Sequence, residues 1–144
     1  MSPDRPRLTP APGRLFVYGS LTFPEVLTVL IGRMPSAVAA EAPGWRAAAL
    51  SERRFPGLVP GPGAARGTVL TGLSPLEWAV LDDFEGPFYD LRPLRLAGDG
   101  GTAHAYVCTS DDLVLRSDWN RDEFRAQHLD DYVAMCAGWS QRRG

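Results

Sequence analysis

Apolar and polar positions along this chain alternate over short stretches and change to helical spacing in three places. Arg14-Leu15-Phe16-Val17-Tyr18 is a β-prone run that halts at Gly19-Ser20, so it reads as a buried first strand ending in a turn. Pro24 stands where a helix can begin, because the N–H it lacks would be unpaired there in any residue. Thr22 is the expected N-cap, Glu25 to Ile31 a short apolar helix, and Gly32 its stop. Residues 35–44 mix small residues with Pro35, Pro43 and Gly44 and show no period; Trp45 to Leu50 reads as a second strand. Arg54 to Gly63 is dense in Pro and Gly yet too apolar for a linker, which predicts an ordered, irregular loop packed on the body.

The second half is more sharply punctuated. Gly67 to Leu73 alternates as a strand. Ser74-Pro75-Leu76-Glu77 combines a Ser cap, Pro at the first helical position and Glu three residues after the cap, opening a helix over 75–83 with Leu76, Ala79, Val80 and Phe84 at helical spacing. Gly86-Pro87 ends it. Leu91 to Leu96 and Thr102 to Cys108 read as strands joined by the turn Gly98-Asp99-Gly100-Gly101. A last helix is expected from about Arg121 to Ala137, capped by Asn120 with Glu123 reaching back, with Phe124, Leu129, Tyr132, Val133 and Cys136 inward and Gly138 as terminator. About five or six strands and three helices in mixed order point to an α+β fold. No internal repeat and no second linker interrupts 14–144, so these residues read as a single domain behind a proline-rich, disordered lead-in over 1–13.

Composition narrows the function. The chain has 144 residues, 44% hydrophobic and 22% charged, which fits one globular domain with a core of its own. Its net charge of −2 supplies no basic field for a nucleic-acid backbone. All 15 basic residues are Arg, which removes every mechanism that needs a lysine Schiff base or a P-loop lysine. No apolar run approaches the ~18 residues of a membrane span, and the lead-in has no apolar signal core, so a cytoplasmic location is expected. Cys108 and Cys136 have no metal-ligand spacing; buried thiols are the preferred reading, with a disulfide left open. His104 and His128 form no metal motif, and no nucleophile elbow or Gly-rich phosphate loop occurs.

Two segments carry candidate chemistry. Val17-Tyr18-Gly19-Ser20-Leu21 turns from strand into helix, which gathers backbone N–H groups into a small nest for a carboxylate, a phosphate or a developing oxyanion; a plain connection is the alternative. Glu85 lies at a helix end between Phe84 and Gly86, with Asp82 and Asp83 close by. Aromatic surroundings and neighbouring acids both disfavour its charged form, pushing its pKa towards that of a useful general acid or base; an exposed acidic helix end is the alternative.

Together these segments resemble the γ-glutamylcyclotransferase-like family, in particular its avirulence-induced-gene-like branch. The resemblance runs from Leu15 to about Trp139 and rests on four stretches in order. They are Phe16-Val17-Tyr18-Gly19-Ser20-Leu21; Phe55-Pro56-Gly57-Leu58-Val59-Pro60-Gly61 with Arg66-Gly67-Thr68-Val69-Leu70; Leu81-Asp82-Asp83-Phe84-Glu85-Gly86 with Tyr89; and Trp119 to Tyr132. The resemblance implies a small mixed β-barrel with flanking helices and a cavity at one end. It implies a reaction that needs no cofactor, metal or enzyme nucleophile: a γ-glutamyl group cyclises to 5-oxoproline and releases an amine. Glu85 would be the catalytic acid/base. Tyr18, Gly19, Ser20 and Leu21 would bind substrate, and Tyr89 and Tyr106 would line the cavity. Strand alternation would put Thr102, His104 and Cys108 on the face of Tyr106. The family often has arginine two residues after the tyrosine matched by Tyr89; here Leu91 occupies that position and Arg92 follows on the opposite face.

The partner expected is a small γ-glutamyl compound, with no nucleic acid and no membrane. Two further readings stand beside the enzyme. One is a non-catalytic domain that binds a carboxylate or γ-glutamyl ligand in the same cavity. The other is an interaction protein presenting Trp45, Trp78, Trp119 and Trp139. Arg53 and Arg54 read as a solvated basic pair, with a substrate carboxylate as the other use.

Overall fold

β1 (Arg14–Val17) feeds two cores with alternate side chains. Leu15 and Val17 enter a cluster shared with the helices, whereas Phe16 enters a second cluster on the opposite face of the sheet. The computed structural model describes residues 13–143, so the expected lead-in lies outside the described residues except for Gly13. After β1 come α1 (Pro24–Ile31), β2 (Ser36–Leu50), β3 (Gly57–Thr71), α2 (Pro75–Glu85), β4 (Tyr89–Arg95), β5 (Thr102–Cys108), β6 (Val114–Asp118), α3 (Arg121–Gln127) and α4 (Leu129–Arg143). The six strands form one mixed sheet in the order β4-β5-β1-β3-β2-β6, curled into a half-barrel and joined by four helices. The α+β barrel-like fold expected from the sequence is the one observed.

The length of β1 creates the seam on which the site is built. β5 runs parallel to β1 at the pair Leu15↔His104 and, three residues further on, pairs with β3 at Leu58↔Val107. β1 has ended by then, and the chain leaves the sheet at Tyr18. The Tyr18 hydroxyl stays in the seam. It donates to the Tyr106 carbonyl of β5 at 2.6 Å and accepts from the Leu58 N–H of β3 at 3.3 Å, substituting for the missing ladder bonds.

Several boundaries differ from the sequence reading, each for a physical reason. Residues 57–63 are not an irregular loop but the start of β3, and 36–44 are the start of β2. The two strands make one long hairpin whose register runs from Ser36↔Thr71 to Pro43↔Ala64, shifts, and resumes from Trp45↔Pro60 to Ala48↔Gly57. The shift falls at Gly44 (φ 83°) and Gly63 (φ 81°), so these glycines take up a left-handed bulge that bends the ladder. Pro60 and Pro62 sit beside this break, where a missing N–H costs least. β6 was not expected: it is five residues long and mostly exposed, so it shows no alternation. Arg46 holds its edge through Asp118 Oδ1 at 2.8 Å and the Leu115 carbonyl at 2.7 Å.

The helices show the same mixture. The capping box at Ser74 forms as predicted: its hydroxyl accepts from the Glu77 N–H, and the Glu77 carboxylate accepts from the Ser74 N–H. α2 runs on to Glu85, and its buried face is Trp78, Leu81 and Asp82, while Leu76 is 74% exposed. The cap residue of α1 is Phe23 rather than Thr22, whose hydroxyl instead donates back to the Gly19 carbonyl at 2.6 Å. The final helix is two helices broken at His128, and Gly138 lies within α4 instead of ending it. Its inner stripe is as expected, with Phe124, Leu129, Tyr132 and Cys136 buried and Val133 partly so. Both cysteines are buried and free. Among the described residues no helix is long and apolar enough to cross a membrane.

Candidate active site

The turn after β1 is a 3-10 turn over Ser20–Thr22, closed by the N–H groups of Thr22 and Phe23 on the carbonyls of Gly19 and Ser20. The N–H groups of Gly19, Ser20 and Leu21 at its start take no part in closing it, as at any helical N-terminus. Gly19 is required by space. A Cβ there would lie 2.6 Å from Pro56 Cγ, so the turn packs directly on the β2–β3 connection. Gly67 is required likewise, because a Cβ would strike the Val17 carbonyl. Small residues at these two points let the backbone of β1 and its turn lie flat against β3.

A cavity of about 220 Å³ opens at this turn. Tyr18, Gly19, Ser20 and Leu21 form one side of it. Phe84 and Glu85 come from the end of α2, Tyr89 from β4, Tyr106 from β5, and Tyr132, Met135 and Trp139 from α4. All seven residues singled out from the sequence thus share one cavity. Glu85 is the last residue of α2; Gly86, at φ 75°, breaks the helix immediately behind it. The carboxylate is carried at the cavity wall by a helix whose inner face is fixed by Trp78 and Leu81.

The tyrosines serve as scaffold as well as lining. Tyr89 donates to the Pro56 carbonyl at 2.8 Å, and Tyr106 donates to Oδ1 of the fully buried Asp82 at 2.9 Å. Ser20 donates from Oγ to the Tyr132 hydroxyl at 3.1 Å. Burial raises the pKa of Tyr18, Tyr89 and Tyr132 above the ordinary phenol value, and the negative charge of Glu85 adds to the rise at each of them. The three phenols therefore stay neutral around the one carboxylate. Cys136, behind Tyr132, is also pushed up by burial, to about 12, so its thiol is inert.

Sequence reasoning missed Tyr132 and Trp139 as lining residues: the helical spacing of Tyr132 marks it only as core, and Trp139 follows Gly138, where the helix is expected to have ended but continues. Trp139 meets Phe84 edge-on at 5.1 Å, closing the wall beside Glu85. Arg54 is not a solvated residue: it is half-buried, with its guanidinium 5.5 Å from the centre of the Tyr132 ring. Arg53 is exposed and spends one N–H on the Ser51 carbonyl. Tyr106 and Cys108 do share a face, but His104 on the same strand does not reach the cavity. Leu91 is buried, and Arg92 points outward to Asp90 at 3.1 Å. No tryptophan forms an exposed surface: Trp78 is 2% exposed, Trp139 lines the cavity, Trp45 packs on the second core, and Trp119 donates from Nε1 to the Arg54 carbonyl at 2.7 Å. Among the described residues no cluster of His, Cys, Asp and Glu is arranged to hold a metal ion.

Residues 15–121 match the family model described as "Gamma-glutamyl cyclotransferase, AIG2-like". The chain belongs to that family. AIG2-like protein C of Arabidopsis thaliana is 33% identical over 135 residues, covering 90% of this chain and 78% of that protein. A solution structure of another Arabidopsis thaliana protein superposes with a TM-score of 0.67 at 27% identity, over 88% of this chain and 80% of that one. A structure named gamma-glutamyl cyclotransferase shares the fold, with a TM-score of 0.56 at 18% identity over 69% of this chain and 68% of its own. The family match spans the turn after β1, the β2–β3 hairpin and the Glu85 segment, and ends at Arg121. The α4 residues that complete the cavity wall lie beyond it.

Proposed function

We propose that this AIG2-like protein is a γ-glutamyl cyclotransferase that releases 5-oxoproline from a small γ-glutamyl compound without a cofactor. The observation that carries the reading is that Glu85 and the turn residues Gly19, Ser20 and Leu21 line a single cavity. In the reaction the substrate's α-amine attacks its own γ-carbonyl carbon. The new C–N bond closes a five-membered lactam, and the bond to the leaving amine breaks. On its way to the lactam N–H the α-ammonium loses two protons, and the leaving nitrogen gains two on its way to an ammonium, so a single carboxylate can take a proton and return it in each of two successive transfers. Glu85 performs both transfers, an effect typically worth ~10²–10⁴ in rate.

The nest holds the substrate carboxylate, with Ser20 fixed by Tyr132, and its N–H groups also face the oxygen on which charge develops. Tyr18, Tyr89 and Tyr106 shape the wall against which the γ-glutamyl chain folds. Confinement of that kind matters because well-oriented intramolecular attack reaches effective molarities of ~10⁵ M and above. The cavity volume of about 220 Å³ suits a substrate of amino-acid-conjugate size.

The test is release of 5-oxoproline from a panel of γ-glutamyl amino acids and γ-glutamylamines. Turnover of at least one member supports the enzyme. Binding of such compounds without any release would favour a ligand-binding domain that keeps the same cavity.

A further inference from the structure

Among the described residues the cavity wall contains one carboxylate, that of Glu85, and a γ-glutamyl amino acid would bring two more. The nest at Gly19–Leu21 can hold the one on the γ-glutamyl unit. The second, on the departing amino acid, needs a cation near the cavity mouth. The neighbouring arginines are mostly committed elsewhere. Arg143 pairs with Asp83 at 2.7 Å, Arg92 with Asp90, and Arg53 is exposed with an N–H on the Ser51 carbonyl. Arg54 differs from all of them. Among the described residues its guanidinium makes no ion pair and no hydrogen bond, yet it is half-buried and stands 5.5 Å from the centre of the Tyr132 ring. Its charge is felt by the Tyr132 hydroxyl and by the Cys136 thiol. The next two residues, Phe55 and Pro56, are part of the cavity wall. Its own carbonyl is tied down by Trp119 Nε1 at 2.7 Å, so the backbone that carries this side chain is fixed.

We infer that Arg54 is a specificity-determining residue that receives the carboxylate of the leaving group, so that the preferred substrates are γ-glutamyl amino acids and not simple γ-glutamylamines. This rests on the cyclotransferase reading above. At 5.5 Å from the Tyr132 ring centre the guanidinium is within cation–π range of the ring, a contact that uses none of its N–H groups and leaves them available for a carboxylate. Glu85 sets the sign of the problem: a substrate with two carboxylates and one ammonium, net charge −1, enters a site that already holds a carboxylate, and Arg54 offsets that repulsion. A γ-glutamylamine has no group for it, and leaves the guanidinium half-buried and unused.

The test compares γ-glutamyl-alanine with γ-glutamyl-ethylamine, which differ only by that carboxylate, in wild type, Arg54→Gln and Arg54→Lys. The expected wild-type ratio of kcat/KM favours γ-glutamyl-alanine by about tenfold or more, the scale of one charge-assisted hydrogen bond. Arg54→Gln should collapse the ratio towards unity through KM for γ-glutamyl-alanine, and Arg54→Lys should restore part of it. Equal ratios in wild type and Arg54→Gln, with both proteins folded by circular dichroism, overturn the inference. Failure of these two compounds and of every other member of the panel to yield 5-oxoproline refutes the cyclotransferase reading instead. Calorimetric titration of the same two compounds decides Arg54 separately: affinity that depends on both the carboxylate and Arg54 supports Arg54 as the group that receives that carboxylate, and its absence overturns the inference.

Discussion

Ser20 Oγ lies 3.1 Å from the Tyr132 hydroxyl, joining the turn after β1 to α4 across 112 residues of sequence. Both groups are buried, at 7% and 3% exposure, and the bond holds the nest in place against the helix that closes the cavity. Tyr132→Phe should therefore cost about 1 kcal/mol of stability and raise KM more than it lowers kcat. Ser20→Ala should do much the same, and the double variant should lose little beyond either one. Urea unfolding of all four proteins checks this: additive losses would show that the two residues act independently.

Gly19 packs so closely on Pro56 that a methyl group has no room, since a Cβ would sit 2.6 Å and 2.7 Å from two carbons of the proline ring. Pro56 cannot swing away as a flexible side chain would, and its carbonyl already accepts from Tyr89. Gly19→Ala should destabilise the fold by roughly 1–3 kcal/mol, the usual range for overpacking. It should also lower turnover more than the stability loss explains, because the nest must move. Thermal unfolding read alongside kcat/KM separates the two effects.

The capping box of α2 makes one contribution to stability depend on pH. Arg33 holds Glu77 through two hydrogen bonds of 2.7 Å, and this pairing, with the Ser74 N–H, lowers the Glu77 pKa to about 2. A depressed carboxylate pKa means the stabilisation is complete above the unfolded-state value of about 4.3 and is lost as pH falls from there towards 2. The pair lies at the surface, so its contribution is small and shrinks with salt. Glu77→Gln should remove that share of the acid sensitivity between pH 4 and pH 2 while leaving the neutral protein folded, as followed by chemical denaturation at stepped pH.

The parts of this architecture that could be read from the sequence are those whose signals are local. Ser74-Pro75-Leu76-Glu77 announces a helix by itself, Gly86 ends it one residue after Glu85, and the β1 run followed by Gly19 marks a strand leaving the sheet. The β2–β3 hairpin was hidden because its Pro and Gly residues, which locally spell a loop, are absorbed by a bulge that only the partner strand makes possible. Tyr132 carries an inward helical spacing that cannot distinguish a core from a cavity wall, and Trp139 lies past Gly138, which locally spells a helix end that the packed α4 overrides. Arg54 was obscured in the same way, since its burial comes from α4, far away in sequence. The site residues on the β1 turn and the α2 end were legible, and those supplied by α4 were not.

The central claim is that Glu85 moves protons from the α-nitrogen to the leaving nitrogen of a γ-glutamyl substrate. It is tested most directly by comparing wild type with Glu85→Gln, a change that keeps the shape of the side chain and removes its acid–base function. The quantities measured are 5-oxoproline release and, by calorimetry, affinity for the best substrate of the panel. The account predicts that Glu85→Gln binds that substrate within about tenfold of wild type while release falls by ~10²-fold or more. Release by Glu85→Gln at a rate close to that of wild type would contradict it.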